Sequence, residues 1–189
     1  DSMIVINPHM YAKMPVDTLK DLTPIATVAS NTFFLSVHPS VPVKNFQEFV
    51  EYAKVANPPL AYASSGNGSQ HQMAMEMLKL RANINLIHIP YKGGAPAVTG
   101  TLAGEVAAMF SGASTGPQIR AGRLRGLATT GRTRSPMIPE LPPIAEFYPG
   151  YELSVWLGFF APAGVPDAAM SRLRAEVNKV LAMPEVKQR

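Results

Sequence analysis

The sequence predicts an α/β protein with a largely parallel sheet, and three observations carry that expectation. Short strand-like runs alternate with helix-period runs through most of the 189 residues. Helix-capping residues stand where predicted strands give way to helices. Gly and Pro number 14 and 18, which fits many short elements joined by defined turns. A hydrophobic fraction of 47% against 16% charged residues excludes a disordered chain, and the length allows one domain or two small lobes.

In chain order, residues 3–6, 25–29 and 33–37 read as strands because they are short apolar or β-branched runs. Asn45, with Glu48 three residues on, caps a helix that presents Phe46, Phe49, Val50 and Ala53 on one face. Residues 60–63 form the next strand. Ser69 and Gln72 open a second helix, which runs through Met73, Met77 and Leu80. Strands follow at 86–89, 106–110, 124–129 and 153–161. The last helix, 166–181, places Met170, Leu173, Val177, Val180 and Leu181 on one stripe, with Pro166 in its first turn and Asp167 at its positive end.

No run approaches the roughly 20 apolar residues needed to cross a bilayer, and no signal stretch opens the chain. Asp1 leads almost at once into a strand-like run and residues 185–189 close on a helix, so both ends read as cut from something longer. The absence of cysteine excludes disulfides, thiolate catalysis and Cys-ligated zinc. The net charge of +4 is uneven: from Tyr52 to Pro139, nine bases stand against Glu76 and Glu105 alone. Five of them, Arg120, Arg123, Arg125, Arg132 and Arg134, read either as a solvated basic face or as a steering field for anions. A third reading, a nucleic-acid module, lacks interleaved aromatics and any recognised motif.

In α/β sheets, ligands bind beyond the carboxyl ends of the strands, so the strand-to-helix turns are the candidate sites. The first holds Ser64, Ser65, Gly66, Asn67, Gly68 and Ser69, followed by Gln70 and His71. Its glycines let the backbone present successive N–H groups, hydroxyls add donors, and a helix N-terminus follows. The other reading is a tight loop that caps its helix, with His71 exposed. The order Gly66-Asn67-Gly68 does not complete a dinucleotide fingerprint, because His71 stands where a third small residue is needed. The second turn, Tyr91, Lys92, Gly93, Gly94 and Ala95, offers amides, an amine and a phenol, and is not a P-loop. Lys92 reads equally as an anion ligand or a solvated amine. A third turn begins at Ser111. The four histidines lack metal-ligand spacing, no nucleophile elbow is present, and no carboxylate pair serves acid/base work. No catalytic residue, metal or cofactor is therefore expected. The alternative is an enzyme acting on a small anionic substrate through Lys92, Tyr91 and a hydroxyl of Ser64 or Ser69.

The runs 15–24, 37–42, 62–69, 88–97, 121–125, 141–143 and 156–166, taken in this order, resemble the Bug-type extracytoplasmic solute receptors of tripartite tricarboxylate transporters. The resemblance spans essentially the whole chain. It implies a periplasmic binding protein of the type II-like class, two α/β lobes joined by two crossing hinge strands, closing on a small mono-, di- or tricarboxylate and docking to membrane transport subunits. By position, residues 1–32 and 159–189 match an incomplete lobe 1, 33–37 and 153–158 the hinge strands, and 38–152 lobe 2. The resemblance carries ligand binding onto the turns 64–69 and 91–95 and onto Ser111. The family's opening strand, its Pro-Gly-Gly-rich ligand loop and its C-terminal end find no match here, so half the cleft is expected to be missing. Ser111 stands where many members carry Asp, which shifts the expectation from ammonium-bearing amino acids toward plain carboxylates.

Overall fold

The structure is a computed structural model that describes residues 2–187. Its helices are α1 (Ser2–Val5), α2 (Asn7–Met10), α3 (Phe46–Val55), α4 (Gln70–Ala82), α5 (Gly94–Leu102), α6 (Gly116–Arg120), α7 (Asp167–Leu181) and α8 (Pro184–Lys187). Its strands are β1 (Leu22–Thr32), β2 (Phe34–Val37), β3 (Leu60–Ser64), β4 (Leu86–Pro90), β5 (Ala108–Ser111), β6 (Arg125–Thr129) and β7 (Ser154–Pro162). Two compact units result: Asp1–Ser30 with Trp156–Arg189, and Asn31–Val155. The chain passes between them twice, within β1 and within β7.

The unit formed by Asn31–Val155 is built on a five-stranded sheet in the order β4-β3-β5-β2-β6. β3 is parallel to β4 and β5, whereas β2 is antiparallel to both β5 and β6. The sheet is thus mixed rather than largely parallel. The connection from β2 to β3 carries a single ten-residue helix between proline-containing turns, and it leaves and re-enters at the same end of the sheet. A strand-helix-strand pattern therefore does not produce a parallel pair here.

Asn45 caps α3 by accepting the Glu48 N–H at 2.9 Å, while the Glu48 carboxylate accepts the Lys44 N–H at 2.7 Å. The buried face of α3 is Phe46, Phe49, Val50 and Ala53, as the periodicity predicts. Phe46 packs on Phe147 with ring centroids 4.9 Å apart, extending this core. Ser69 caps α4 through the Gln72 N–H at 3.3 Å. The buried face of α4, however, is Gln70, Ala74, Met75, Leu78 and Ala82, not Met73, Met77 and Leu80, and Leu80 is 83% exposed. Apolar residues surround this helix, so packing against the sheet decides which stripe faces inward. Tyr151 crosses to donate to the Ala74 carbonyl at 2.8 Å, and burial pushes its phenol well above the ordinary tyrosine range.

The other unit contains a two-stranded sheet of β1 and β7. The strand expected at 3–6 is absent: α1 and α2 occupy this stretch. A four-residue apolar run has no periodicity that separates strand from helix. Helix α7 forms where expected, but of its apolar stripe Met170 is buried while Leu173 and Val180 are exposed. Phe159, Val177, Val180 and Leu181 line a shallow apolar groove, and a second groove of about 610 Å³ lies along Ile25, Trp156, Phe160 and Arg174. Of the residues expected to close the chain in a helix, Gln188 and Arg189 lie outside the described residues.

Candidate functional site

Strand register brings the three candidate turns to one edge of the five-stranded sheet. Ser64 pairs with Pro90 and Ala63 with Met109, while Phe34 sits opposite both Ser111 and Thr129. The carboxyl ends of β3, β4, β5 and β6 are thereby aligned. From β3 the chain passes through α4 to β4 on one side, then through α5 to β5 on the other. That reversal is where open α/β sheets offer a crevice. The first two turns touch directly: the Tyr91 N–H donates to the Ser64 carbonyl at 3.0 Å, and a methyl at Gly66 would lie 3.5 Å from the Tyr91 carbonyl oxygen.

In the first turn, most polar groups are used within the turn itself. Ser64 is fully buried; its hydroxyl donates to the Gly66 carbonyl at 3.0 Å and accepts the Gly66 N–H at 3.1 Å. The His88 Nε2 lies 2.6 Å from the same oxygen. The Gly68 N–H donates to Gln72 Oε1 at 2.8 Å, and the Ser69 N–H to the Gly66 carbonyl at 3.3 Å. Ser65 Oγ lies 2.8 Å from Nδ1 of His71, whose ring stacks on Phe33 at 4.5 Å. His71 is therefore not an ordinary exposed residue, and burial lowers its pKa to about 4. Glycine is required at both Gly66 and Gly68, whose φ angles are +125° and +72°. Among the described residues, the backbone N–H groups of Ser65 and Asn67 have no partner, and Asn67 is exposed.

Proton bookkeeping fixes the state of His88. The Gly68 N–H can only donate, so Gln72 turns its carbonyl oxygen toward it and its NH₂ toward His88 Nδ1, 3.2 Å away. Nδ1 must then accept, and Nε2 carries the hydrogen that it donates to Ser64. Behind this ring, Tyr62 stacks at 5.0 Å and donates to Glu76 at 2.6 Å, while Lys79 pairs with Glu76 at 2.8 Å. Burial lowers the His88 pKa; Glu76 opposes that shift and Lys79 adds to it. Burial raises the Glu76 carboxyl, but hydrogen bonds from Lys79 and Tyr62 outweigh it, leaving the net shift downward.

The second turn is open. Gly93, at φ +117° and ψ 171°, is the N-cap of α5 and supplies no side-chain bond. The N–H groups of Gly94 and Ala95 have no partner among the described residues, and a methyl at Gly94 would meet nothing within 4 Å. Pro96 has no N–H to satisfy. Lys92 is exposed and makes no ion pair among the described residues. Tyr91 faces elsewhere: its phenol donates to Glu105 at 2.8 Å across Gly100, and burial followed by this bond raises its pKa.

In the third turn, Ser111 is buried and its hydroxyl lies 2.7 Å from that of Thr115, which donates its own hydrogen to the Gly112 carbonyl. Ser111 is therefore the donor of that pair. Outside the three predicted turns, Thr129 ends β6 and Thr130 follows it at the same edge. Thr130 Oγ1 accepts the Phe33 N–H and donates to Leu153, and Thr129 Oγ1 is buried without a partner among the described residues. Two hydroxyls at the carboxyl end of a strand were the available signal. The arginine run is partly structural: Arg125 donates to the Val41 and Val43 carbonyls, Arg132 pairs with Glu152, and Arg134 pairs with Glu146. Among the described residues no group of three or more His, Asp or Glu is arranged to hold a metal ion, and no helix is long and apolar enough to cross a membrane.

Residues 1–189 match the sequence model described as tripartite tricarboxylate transporter family receptor. A UPF0065 protein from the tcbD-tcbE intergenic region of Pseudomonas sp. (strain P51) is 35% identical over 186 residues, covering 97% of this chain and 55% of that protein. Among solved structures, Rpa4515 of R. palustris with adipate superposes with a TM-score of 0.83 at 31% identity, covering 93% of this chain and 60% of that one. MatC (Rpa3494) from Rhodopseudomonas palustris with bound malate gives 0.85 at 26% identity, covering 96% and 63%. The chain thus spans a little over half the length of its relatives. Its α/β fold is that of their class, and the chain belongs to the tripartite tricarboxylate transporter receptor family.

Proposed function

We propose that the protein is a periplasmic receptor that captures a small organic carboxylate and delivers it to the membrane subunits of a tripartite tricarboxylate-type transporter. The observation that carries this reading is the alignment of three strand-to-helix turns at one sheet edge, with unpartnered N–H groups at Ser65, Asn67, Gly94 and Ala95. Such groups, with the positive end of α5 behind two of them and Lys92 alongside, hold a carboxylate by hydrogen bonds and field. The ligand set of this chain is accordingly the turns 64–69 and 91–95, with Ser65, Asn67, Lys92, Gly94 and Ala95 in contact. Ser64, Gly66, Gly68, Ser69, Tyr91 and Ser111 hold those turns in shape. The adipate and malate named with two relatives support a dicarboxylate as first choice. The division at β1 and β7 supports reading the two units as the lobes of such a receptor.

One observation favours an enzyme instead: Ser64 Oγ and His88 Nε2 are 2.6 Å apart, the spacing of a nucleophile and its base. The network opposes it. Nε2 carries the proton and donates it to Ser64, so this imidazole is the wrong tautomer to accept the serine proton, and the hydroxyl is fully buried. The receptor reading therefore stands ahead, and it predicts that a bound acid is recovered chemically unchanged. Incubation of the intact protein with ¹³C-labelled adipate or malate, followed by NMR of the released acid, tests this; any turnover that disappears in Lys92→Ala restores the enzyme.

A further inference from the structure

We infer that His88, as the neutral Nε2–H tautomer, is the positioning residue of the Ser64–Ser69 turn, and that its protonation dismantles the turn's anion-binding form. This rests on the receptor reading of that turn and goes beyond it by assigning a residue that touches no ligand. One imidazole joins two separate parts of the turn. Through Nε2 it fixes Ser64, whose hydroxyl in turn holds Gly66 from both its N–H and its carbonyl. Through Nδ1 it fixes the rotation of the Gln72 amide, which alone accepts the Gly68 N–H.

Protonation places a hydrogen on Nδ1, so donor then faces donor across the 3.2 Å contact with Gln72. To relieve this, Gln72 must rotate its carbonyl toward the ring. That rotation presents its NH₂ to the Gly68 N–H, and a buried amide loses its acceptor. Gly66 and Gly68 flank Asn67, so movement at either one redirects the Ser65 and Asn67 N–H groups that the site offers.

The groups facing His88 do not replace the lost acceptor. From β3 they are Tyr62, which donates to Glu76, and Ser64. From α4 they are Gln72, Glu76 and Lys79, with the Glu76 carboxylate already accepting from Tyr62 and Lys79. Burial of the ring disfavours its charged form. The turn is therefore fully ordered above the ordinary histidine range and loses order as pH falls below it.

The test is an NMR pH titration of the ¹⁵N-labelled intact protein between pH 8 and 5, following the His88 Cε1 resonance together with exchange protection of the Gly68 amide. Wild type is expected to lose Gly68 protection at least tenfold, beyond intrinsic exchange, along the same curve as His88. His88→Gln, whose amide can donate to Ser64 and accept from Gln72 without titrating, is expected to show a flat profile. Gln72→Glu offers a carboxylate to Nδ1–H and is expected to reverse the profile, giving greater protection in acid. Gly68 protection that ignores the His88 curve in wild type, or an unchanged pH profile in a folded His88→Gln, overturns the assignment. Parallel titrations with adipate and malate separate the two readings. Affinity should weaken more steeply with acid in wild type than in His88→Gln, a comparison in which the acid's own protonation cancels. If neither acid binds at pH 8 while Gly68 still follows His88, the receptor reading falls and the positioning role stands.

Discussion

The turn after β3 consumes most of its own polar groups, whereas the turn after β4 leaves its amides uncovered. Both place glycines between a strand and a helix. In the first, the Ser64 hydroxyl, the His88 imidazole and the Gln72 amide hold Ser64, Gly66 and Gly68 through four hydrogen bonds. In the second, only Gly93 stands at the helix start, and Gly94 and Ala95 remain without partners among the described residues. Two hydroxyls that composition offers as donors, those of Ser64 and Ser69, are engaged inside the turn itself. The side-chain bonds that hold a turn in shape are concentrated in the first, while each turn leaves two N–H groups free and the second adds the exposed Lys92 amine.

The largest effect that separates them is expected at Gly93. Its φ and ψ lie in a region essentially reserved for glycine, so Gly93→Ala should cost about 1–3 kcal/mol. Carboxylate affinity should fall with it, because the open amides are displaced; urea unfolding and calorimetric binding read the two effects. In the first turn, Gln72→Leu leaves the buried Gly68 N–H without its acceptor and should cost about 1–2 kcal/mol, again read by urea unfolding. A smaller loss, about 1 kcal/mol, is expected from Ser69→Ala, which removes the α4 cap while leaving the second turn intact.

Acid should also weaken the first turn before the second. His71 is held to a pKa of about 4, against an ordinary value of 6.5. The unfolded chain therefore takes up a proton that the folded chain refuses, and stability is full above about 6.5 and declines as pH falls toward 4. His71→Phe, keeping the stack on Phe33, should flatten that part of the urea-midpoint profile. The smallest effect on folding is expected from Lys92→Ala, within about 0.5 kcal/mol because the amine is exposed. Its signature should appear in binding, as weaker affinity with reduced dependence on salt.

Local signals with a defined geometry were readable in the sequence. The caps at Asn45 and Ser69 form as their spacing predicts, although Glu48 and Gln72 reach back to the N–H one residue before each cap and so do not close a capping box on it, and the edge at which the turns gather follows from the strand-end rule for α/β sheets. What depended on packing between elements was not readable. The α4 sequence is apolar on several faces, so the buried stripe fell on Ala74, Met75 and Leu78. The antiparallel course of β2 is set by how one connection returns. Residues 3–6 were too short to carry a period. At the site, composition signalled hydroxyls and bases but not their engagement: Ser111 with Thr115, Tyr91 with Glu105 and Arg125 with two carbonyls are partnerships between distant or turning segments. His88 and Gln72 belong to the same class, since only the fold places them together.

Whether these turns form a carboxylate receptor is decided by calorimetric titration of the intact protein with adipate, malate and citrate at pH 8. Saturable one-to-one binding of at least one of them is expected, weakened in Gly93→Ala and Lys92→Ala. A folded protein that gives no binding heat with any of the three across temperatures, or binding that both substitutions leave unchanged, would contradict it.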